Sequence, residues 1–127
     1  MRHVLLLEPD GLLAASISRY FEAAGFKVHA HSDPQAAVTQ ADKQLPQVVI
    51  TELQLAGRSG VEFLYEFRSY PEWQTIPVII YTSLHDQDIA DYQTVFSELN
   101  IQACLYKPVT SLDQLLRRTQ QSLAVAT

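Results

Sequence analysis

Four short segments concentrate the side chains able to do chemistry: Glu8-Pro9-Asp10, Glu52, Thr82-Ser83 and Lys107-Pro108. Each directly follows an apolar run, so each marks a place where a buried strand would emerge. Three carboxylates, a hydroxyl and an ammonium are complementary in charge and hydrogen bonding. A polar residue at one strand end usually marks only where a sheet meets solvent. Four such ends with matching chemistry point instead to a shared crevice.

The elements that would position them can be read along the chain. Val4–Leu7 is a continuous apolar run. Asp10 to Ala24 has helical spacing at Leu13, Ile17, Tyr20 or Phe21, and Ala24, with Gly25 as a stop. Phe26 to His31 alternates, as a strand does. Ser32 or Asp33 caps a helix that opens with Pro34 and runs to about Lys43. Val48 to Glu52 predicts a third strand. The loop Leu55-Ala56-Gly57-Arg58-Ser59-Gly60 leads to a helix from Val61 to about Tyr70, stopped by Pro71. Ile76 to Thr82 predicts the fourth strand, Asp86 to Leu99 a fourth helix ending at Asn100, and Ile101 to Tyr106 the fifth strand. Thr110-Ser111-Leu112-Asp113 resembles a capping box for the last helix, whose Leu112, Leu115, Leu116 and Leu123 share one face.

Strict alternation of five strands with five helices predicts an α/β fold with a doubly wound parallel sheet. The first, third and fourth strands are continuously apolar, as central strands are; the second and fifth alternate, as edges do. Order 2-1-3-4-5 follows, with a crevice at the carboxyl ends where the winding reverses.

Composition narrows the function. The 127 residues are 47% apolar and 18% charged, an ordinary globular balance expected to form one domain over 1–127. Nine basic against fourteen acidic residues, net charge −5, argue against nucleic-acid binding. The single cysteine, Cys104, excludes an internal disulfide and fits the cytoplasm; it is expected in the core. No apolar run reaches the roughly 18 residues of a membrane span. Trp73 is expected to pack at the end of the sheet opposite the crevice. His29 and His31 lack a third ligand and are expected on a solvated face. His85, Asp86 and Asp88 lie near the crevice, where capping is the simplest role. Arg117 and Arg118 are expected as solvated charge.

The chain resembles, over nearly its whole length, the receiver domain of bacterial two-component response regulators, a flavodoxin-like fold. The resemblance is carried by Pro46 to Gly60 as the phosphoacceptor segment, by Ile76 to Ser83 as the switch strand, and by Leu105-Tyr106-Lys107-Pro108 as the Lys-Pro signature. It implies that Glu52 stands at the phosphoacceptor position, Glu8 and Asp10 in the acidic pocket, Thr82 and Cys104 at the switch positions, and Lys107 and Pro108 at the conserved-type lysine and its proline.

Three departures bear on function. Glutamate replaces the acceptor aspartate at position 52; Pro9 replaces an acidic metal ligand; Cys104 replaces the switch aromatic. Asp10 is better placed to cap the first helix than to replace that ligand. The expectation is a stand-alone pseudo-receiver, not an enzyme, that binds another signalling protein such as a sensor kinase or output protein. Its contact face would be the fourth helix, fifth strand and last helix, and a homodimer is compatible with the same chain. No cofactor is expected beyond weak Mg²⁺ attraction by Glu8, Asp10 and Glu52. Glu52 would either imitate a phosphoaspartate in part or simply pair with Lys107. The competing readings are a receiver still switched by phosphorylation or metal, and a haloacid-dehalogenase-type phosphatase suggested by Glu8-Pro9-Asp10-Gly11. A flavin-binding flavodoxin-like protein lacks support from any hydroxyl-rich loop after the first strand.

Overall fold

A computed structural model describes residues 2–55, 57 and 59–126. The strands are β1 (Arg2–Leu7), β2 (Phe26–His31), β3 (Val48–Thr51), β4 (Val78–Thr82) and β5 (Ala103–Tyr106). The helices are α1 (Gly11–Ala23), α2 (Pro34–Lys43), α3 (Gly60–Ser69), α4 (Asp86–Ala90), α5 (Gln93–Glu98) and α6 (Leu112–Ala126). All strand pairs are parallel, in the order β2-β1-β3-β4-β5. The expected sheet is therefore present, but with six α-helices among the described residues in place of five.

The extra helix comes from a break. The predicted helix from Asp86 to Leu99 stops at Ala90 and restarts at Gln93, with Tyr92 at φ −101°, ψ 2°. Three strands are also shorter than predicted. β3 stops before Glu52, β4 starts at Val78 and β5 starts at Ala103, because strand pairing extends only that far.

Alternation on β1 builds both halves of the core. Leu5 and Leu7 pack with Phe63, Phe67, Trp73 and Ile80 beneath α2 to α5. Val4 and Leu6 pack with Ile17, Phe21, Ile79 and Leu115 beneath α1 and α6. Such period-two partition lets one strand serve two layers. Trp73 is buried, with Phe67 at 4.9 Å and Tyr70 at 4.5 Å between ring centroids.

Helix ends follow local chemistry. The Asp10 carboxylate accepts from the Leu12 and Leu13 amides at 3.0 and 3.2 Å, and Asp33 accepts from the Ala36 amide at 2.9 Å ahead of Pro34. Gly25 takes φ +95° past the end of α1, which a side chain rarely tolerates. The last capping box lies one residue later than predicted. Ser111 Oγ accepts from the Gln114 amide at 3.1 Å, and Gln114 Oε1 accepts from the Ser111 amide at 2.7 Å.

Arg68, which the sequence did not single out, is buried. Its guanidinium donates to the carbonyls of Leu99 (2.8 Å), Trp73 (2.7 Å) and Asn100 (3.2 Å). Burial lowers its pKa. It ties α3 to the turn at Asn100, which adopts φ 55° just before β5.

Candidate functional site

β1, β3, β4 and β5 end together, and the side chains beyond them meet. Lys107 Nζ lies 2.8 Å from Glu52 Oε1 and 2.8 Å from Glu8 Oε1. Both carboxylates are buried, and the lysine side chain is 17% exposed. Thr82 donates its hydroxyl to Glu52 Oε2. Backbone amides complete the shell: Leu53 and Gln54 donate to Glu52 Oε2 at 2.6 and 3.1 Å, and Ser83 to Oε1 at 3.3 Å. Among the described residues no buried side-chain polar atom lacks a hydrogen-bond partner.

The sequence placed Glu8, Glu52, Thr82 and Lys107 in one crevice, and the structure brings these four together. Asp10 does not join them with its side chain. Its exposed carboxylate caps α1, while its backbone amide donates to Glu8 Oε2 at 3.0 Å. Pro9 and Pro108 are exposed at the rim. Cys104 is not core: it is exposed on β5. The surroundings of its sulfur nonetheless raise its pKa to about 11, by desolvation first and then by the charges of Asp86 and Glu52. Its thiol stays neutral at physiological pH.

Position 52 depends on a close backbone approach. Gly60 donates its amide to Leu53 O at 2.7 Å, and a Cβ on Gly60 would lie 2.6 Å from both Glu52 O and Leu53 Cα. Only glycine lets α3 begin this close behind the acceptor position.

Tyr106 and His85 form a contact that sequence reasoning missed. The Tyr106 hydroxyl lies 3.1 Å from His85 Nδ1, at the exposed edge of the crevice. No periodicity marks such a pair, since the two residues lie on different elements. The histidine pair on β2 also differs from expectation. His29 is half-buried, stacked on His3 with Nδ1 of His3 at 2.9 Å from its Nε2, and burial lowers its pKa, followed by the charges of His3, Lys27 and His31. His31 turns to Gln40 Oε1 at 3.3 Å. Arg117 is solvated, paired with Asp113 at 2.9 Å, but Arg118 is half-buried and donates to Gln102 O at 2.8 Å.

The electrostatics of Glu52 and Lys107 are coupled. Burial raises the Glu52 carboxyl, but hydrogen bonds from Lys107, Thr82 and Gln54 outweigh it, so its pKa lies below the ordinary value. Burial lowers Lys107, but the hydrogen bonds it donates to Glu52 and Glu8 outweigh it, so its pKa lies above the ordinary value. A depressed carboxyl stabilises the fold above the unfolded-state pKa and loses that contribution as pH falls through the folded value. A raised lysine stabilises below its unfolded pKa and loses that contribution as pH rises through the folded value. The full contribution therefore spans about pH 4.3 to pH 10.4, between the unfolded glutamate and lysine values. Chemical denaturation at a series of pH values should show stability falling on both sides of that window. Glu52→Gln should remove the Glu52 share of the acid-side fall.

The family of response regulator receiver domains matches residues 4–120. This chain belongs to that family. Receivers are signalling modules of two-component systems. VanRB, a regulatory protein of Enterococcus faecalis, is 29% identical over 85 residues, covering 67% of this chain and 37% of that protein. RcaC of Microchaete diplosiphon is 25% identical over 123 residues, covering 97% of this chain and 19% of that protein. This chain thus spans well under half the length of these relatives. A sensor protein from Polaromonas sp. JS666 superposes with a TM-score of 0.89 at 15% identity, covering 99% of this chain and 98% of that one. The chemotaxis response regulator CheY4 of Vibrio cholerae gives 0.84 at 20% identity, covering 96% and 98%. At these identities the superpositions establish the fold alone. No helix among the described residues is long and apolar enough to cross a membrane.

Proposed function

We infer that this receiver is a degenerate one: a cytoplasmic signalling module that binds another protein, takes no phosphoryl group and catalyses no reaction. The observation that carries this reading is the double contact of Lys107 Nζ, 2.8 Å from both Glu52 and Glu8. The ammonium, the Thr82 hydroxyl and the amide of Ser83 are the groups able to hold phosphoryl oxygens, and all three are engaged by Glu52. Phosphoryl transfer depends on positioning and charge neutralisation, so occupied donors at the acceptor oppose it.

The residues present do not fit Mg²⁺. That ion requires near-octahedral oxygen ligands at about 2.0–2.1 Å. Pro9 offers no side-chain oxygen, Asp10 is committed to its helix, and Glu8 and Glu52 both face an ammonium. A dication in the same place would meet Lys107 at close range. Isothermal titration should show no saturable Mg²⁺ binding below about 1 mM, the concentration range in which a complete oxygen site would fill.

Glu52 carries one negative charge, against about 1.5 to 2 for a phosphoryl group. Held by Lys107 and Thr82, it imitates a phosphorylated acceptor in part and keeps the crevice in one arrangement. The partner surface in this reading is the face of α4, α5, β5 and α6, and the partner a sensor kinase or an output protein. The test is incubation with acetyl phosphate and Mg²⁺, followed by intact-mass spectrometry. The unmodified mass is expected. A phosphoryl adduct that disappears in Glu52→Gln overturns the reading.

A further inference from the structure

A cavity of about 160 Å³ adjoins the clasp formed by Lys107, Glu8, Glu52 and Thr82; Thr82 lines it together with Leu84, Ile89 and Cys104 and the polar side chains of Asp86, Gln93 and Tyr106. It arises from two features of this chain. Cys104 and Tyr106 project to the same face of β5, and the short cysteine leaves the space beside Tyr106 unfilled. The helix over it is broken, α4 ending at Ala90 and α5 starting at Gln93. β5 is the sheet's edge, so the space opens at the surface.

Three observations define what fits. The volume is close to the roughly 150 Å³ of an apolar cavity that holds benzene. Ile89 and Leu84 supply apolar wall, and the neutral Cys104 sulfur suits contact with an aromatic ring. Asp86 and Gln93 supply acceptors for a ring N–H, whereas the Tyr106 hydroxyl is already engaged by His85. The surroundings are anionic: Asp86, Asp88, Asp91 and Glu98 are exposed, and residues 86 to 98 contain no lysine or arginine.

We propose that this cavity receives a tryptophan side chain of a protein partner, flanked there by lysine or arginine. This rests on the reading of the domain as a partner-binding module and specifies the partner's chemistry. The indole fills the space beside Cys104, its N–H reaches Asp86 or Gln93, and the cationic flanks lie along α4. Because Thr82 lines the cavity and donates to Glu52, an occupant touches the residue that holds the clasp.

The experiment titrates the ¹⁵N-labelled chain with acetyl-Lys-Trp-Lys-amide and follows amide shifts. Saturable shifts at Thr82, Gln93 and Cys104 are expected, with Lys-Ala-Lys and Glu-Trp-Glu analogues at least about tenfold weaker. Cys104→Phe fills the cavity from β5 and should abolish binding; Gln93→Trp, which closes it from α5, should do the same if Cys104→Phe fails to fold. Equal binding of the Lys-Ala-Lys peptide, or unchanged binding by both filled variants, overturns the proposal. Tryptamine binding as tightly as the peptide also overturns it, by showing a small-molecule pocket. Absent peptide binding sinks this proposal alone, whereas a phosphoryl adduct on Glu52 sinks the functional reading beneath it.

Discussion

The double variant Glu52→Asp with Pro9→Asp is expected to accept a phosphoryl group from acetyl phosphate and Mg²⁺ where neither single variant does. Two defects act on one transition state. The extra methylene of Glu52 carries its carboxylate about 1 Å beyond an aspartate's, and misplacement on that scale costs about 10²-fold. It also carries that carboxylate onto Lys107 and Thr82, engaging both. Glu52→Asp shortens the side chain and frees those donors, but leaves position 9 without a side-chain oxygen. Pro9→Asp adds a carboxylate at the rim beside Glu8, but leaves the acceptor overlong and still held. Only the pair restores a free acceptor and an additional oxygen ligand together. Intact-mass spectrometry of the four proteins over one time course reads the outcome. Adduct formation by Glu52→Asp alone, at the rate of the double variant, would show that Pro9 is not limiting. An unmodified double variant would place a further defect elsewhere in the crevice.

Lys107→Ala should destabilise the fold by about 2–4 kcal/mol, because it leaves two buried carboxylates facing each other without a cation. Glu8 and Glu52 each lie 2.8 Å from the ammonium, so its loss converts two attractions into one repulsion. Adding Glu52→Gln leaves one charged carboxylate, removes that repulsion and should recover part of the loss. Chemical denaturation of the parent, both single variants and the double variant closes the cycle. Simple additivity would mean that Lys107 and Glu52 are not coupled, and the clasp would then explain nothing about the site. A surface pair would show a much smaller effect, since exposed ion pairs contribute only about 0–1 kcal/mol. Burial of the carboxylates is therefore what makes this prediction large.

Much of this was legible in the residues themselves. Nearly continuous apolar runs at Val4–Leu7, Val48 to Glu52 and Ile76 to Thr82 identified the central strands, because a strand covered on both faces has no polar side to show. Alternation in β2 placed it at an edge, and the polar residue following each central strand marked the crevice. Asp10, Asp33 and Gly25 bounded their helices by chemistry confined to a few neighbouring residues. That locality is why a sequence alone could specify them.

What it could not specify were relations between distant segments. The break between α4 and α5 has no proline or glycine to announce it. Cys104 looked like core from its residue type, but the small side chain stands on an edge strand beside a broken helix, and it is exposed. Asp10 could be read both as a crevice carboxylate and as a helix cap, and in the packed structure its side chain serves only the cap. The residue types at positions 8, 52, 82 and 107 were enough to say that carboxylates, a hydroxyl and an ammonium would gather at one end of a parallel sheet. That the ammonium sits between both carboxylates, and that the hydroxyl turns to the same glutamate, was decided by tertiary structure alone. Hydrogen-bond partners depend on distances of a few tenths of an ångström between side chains 30 to 99 residues apart, which only the packed sheet sets.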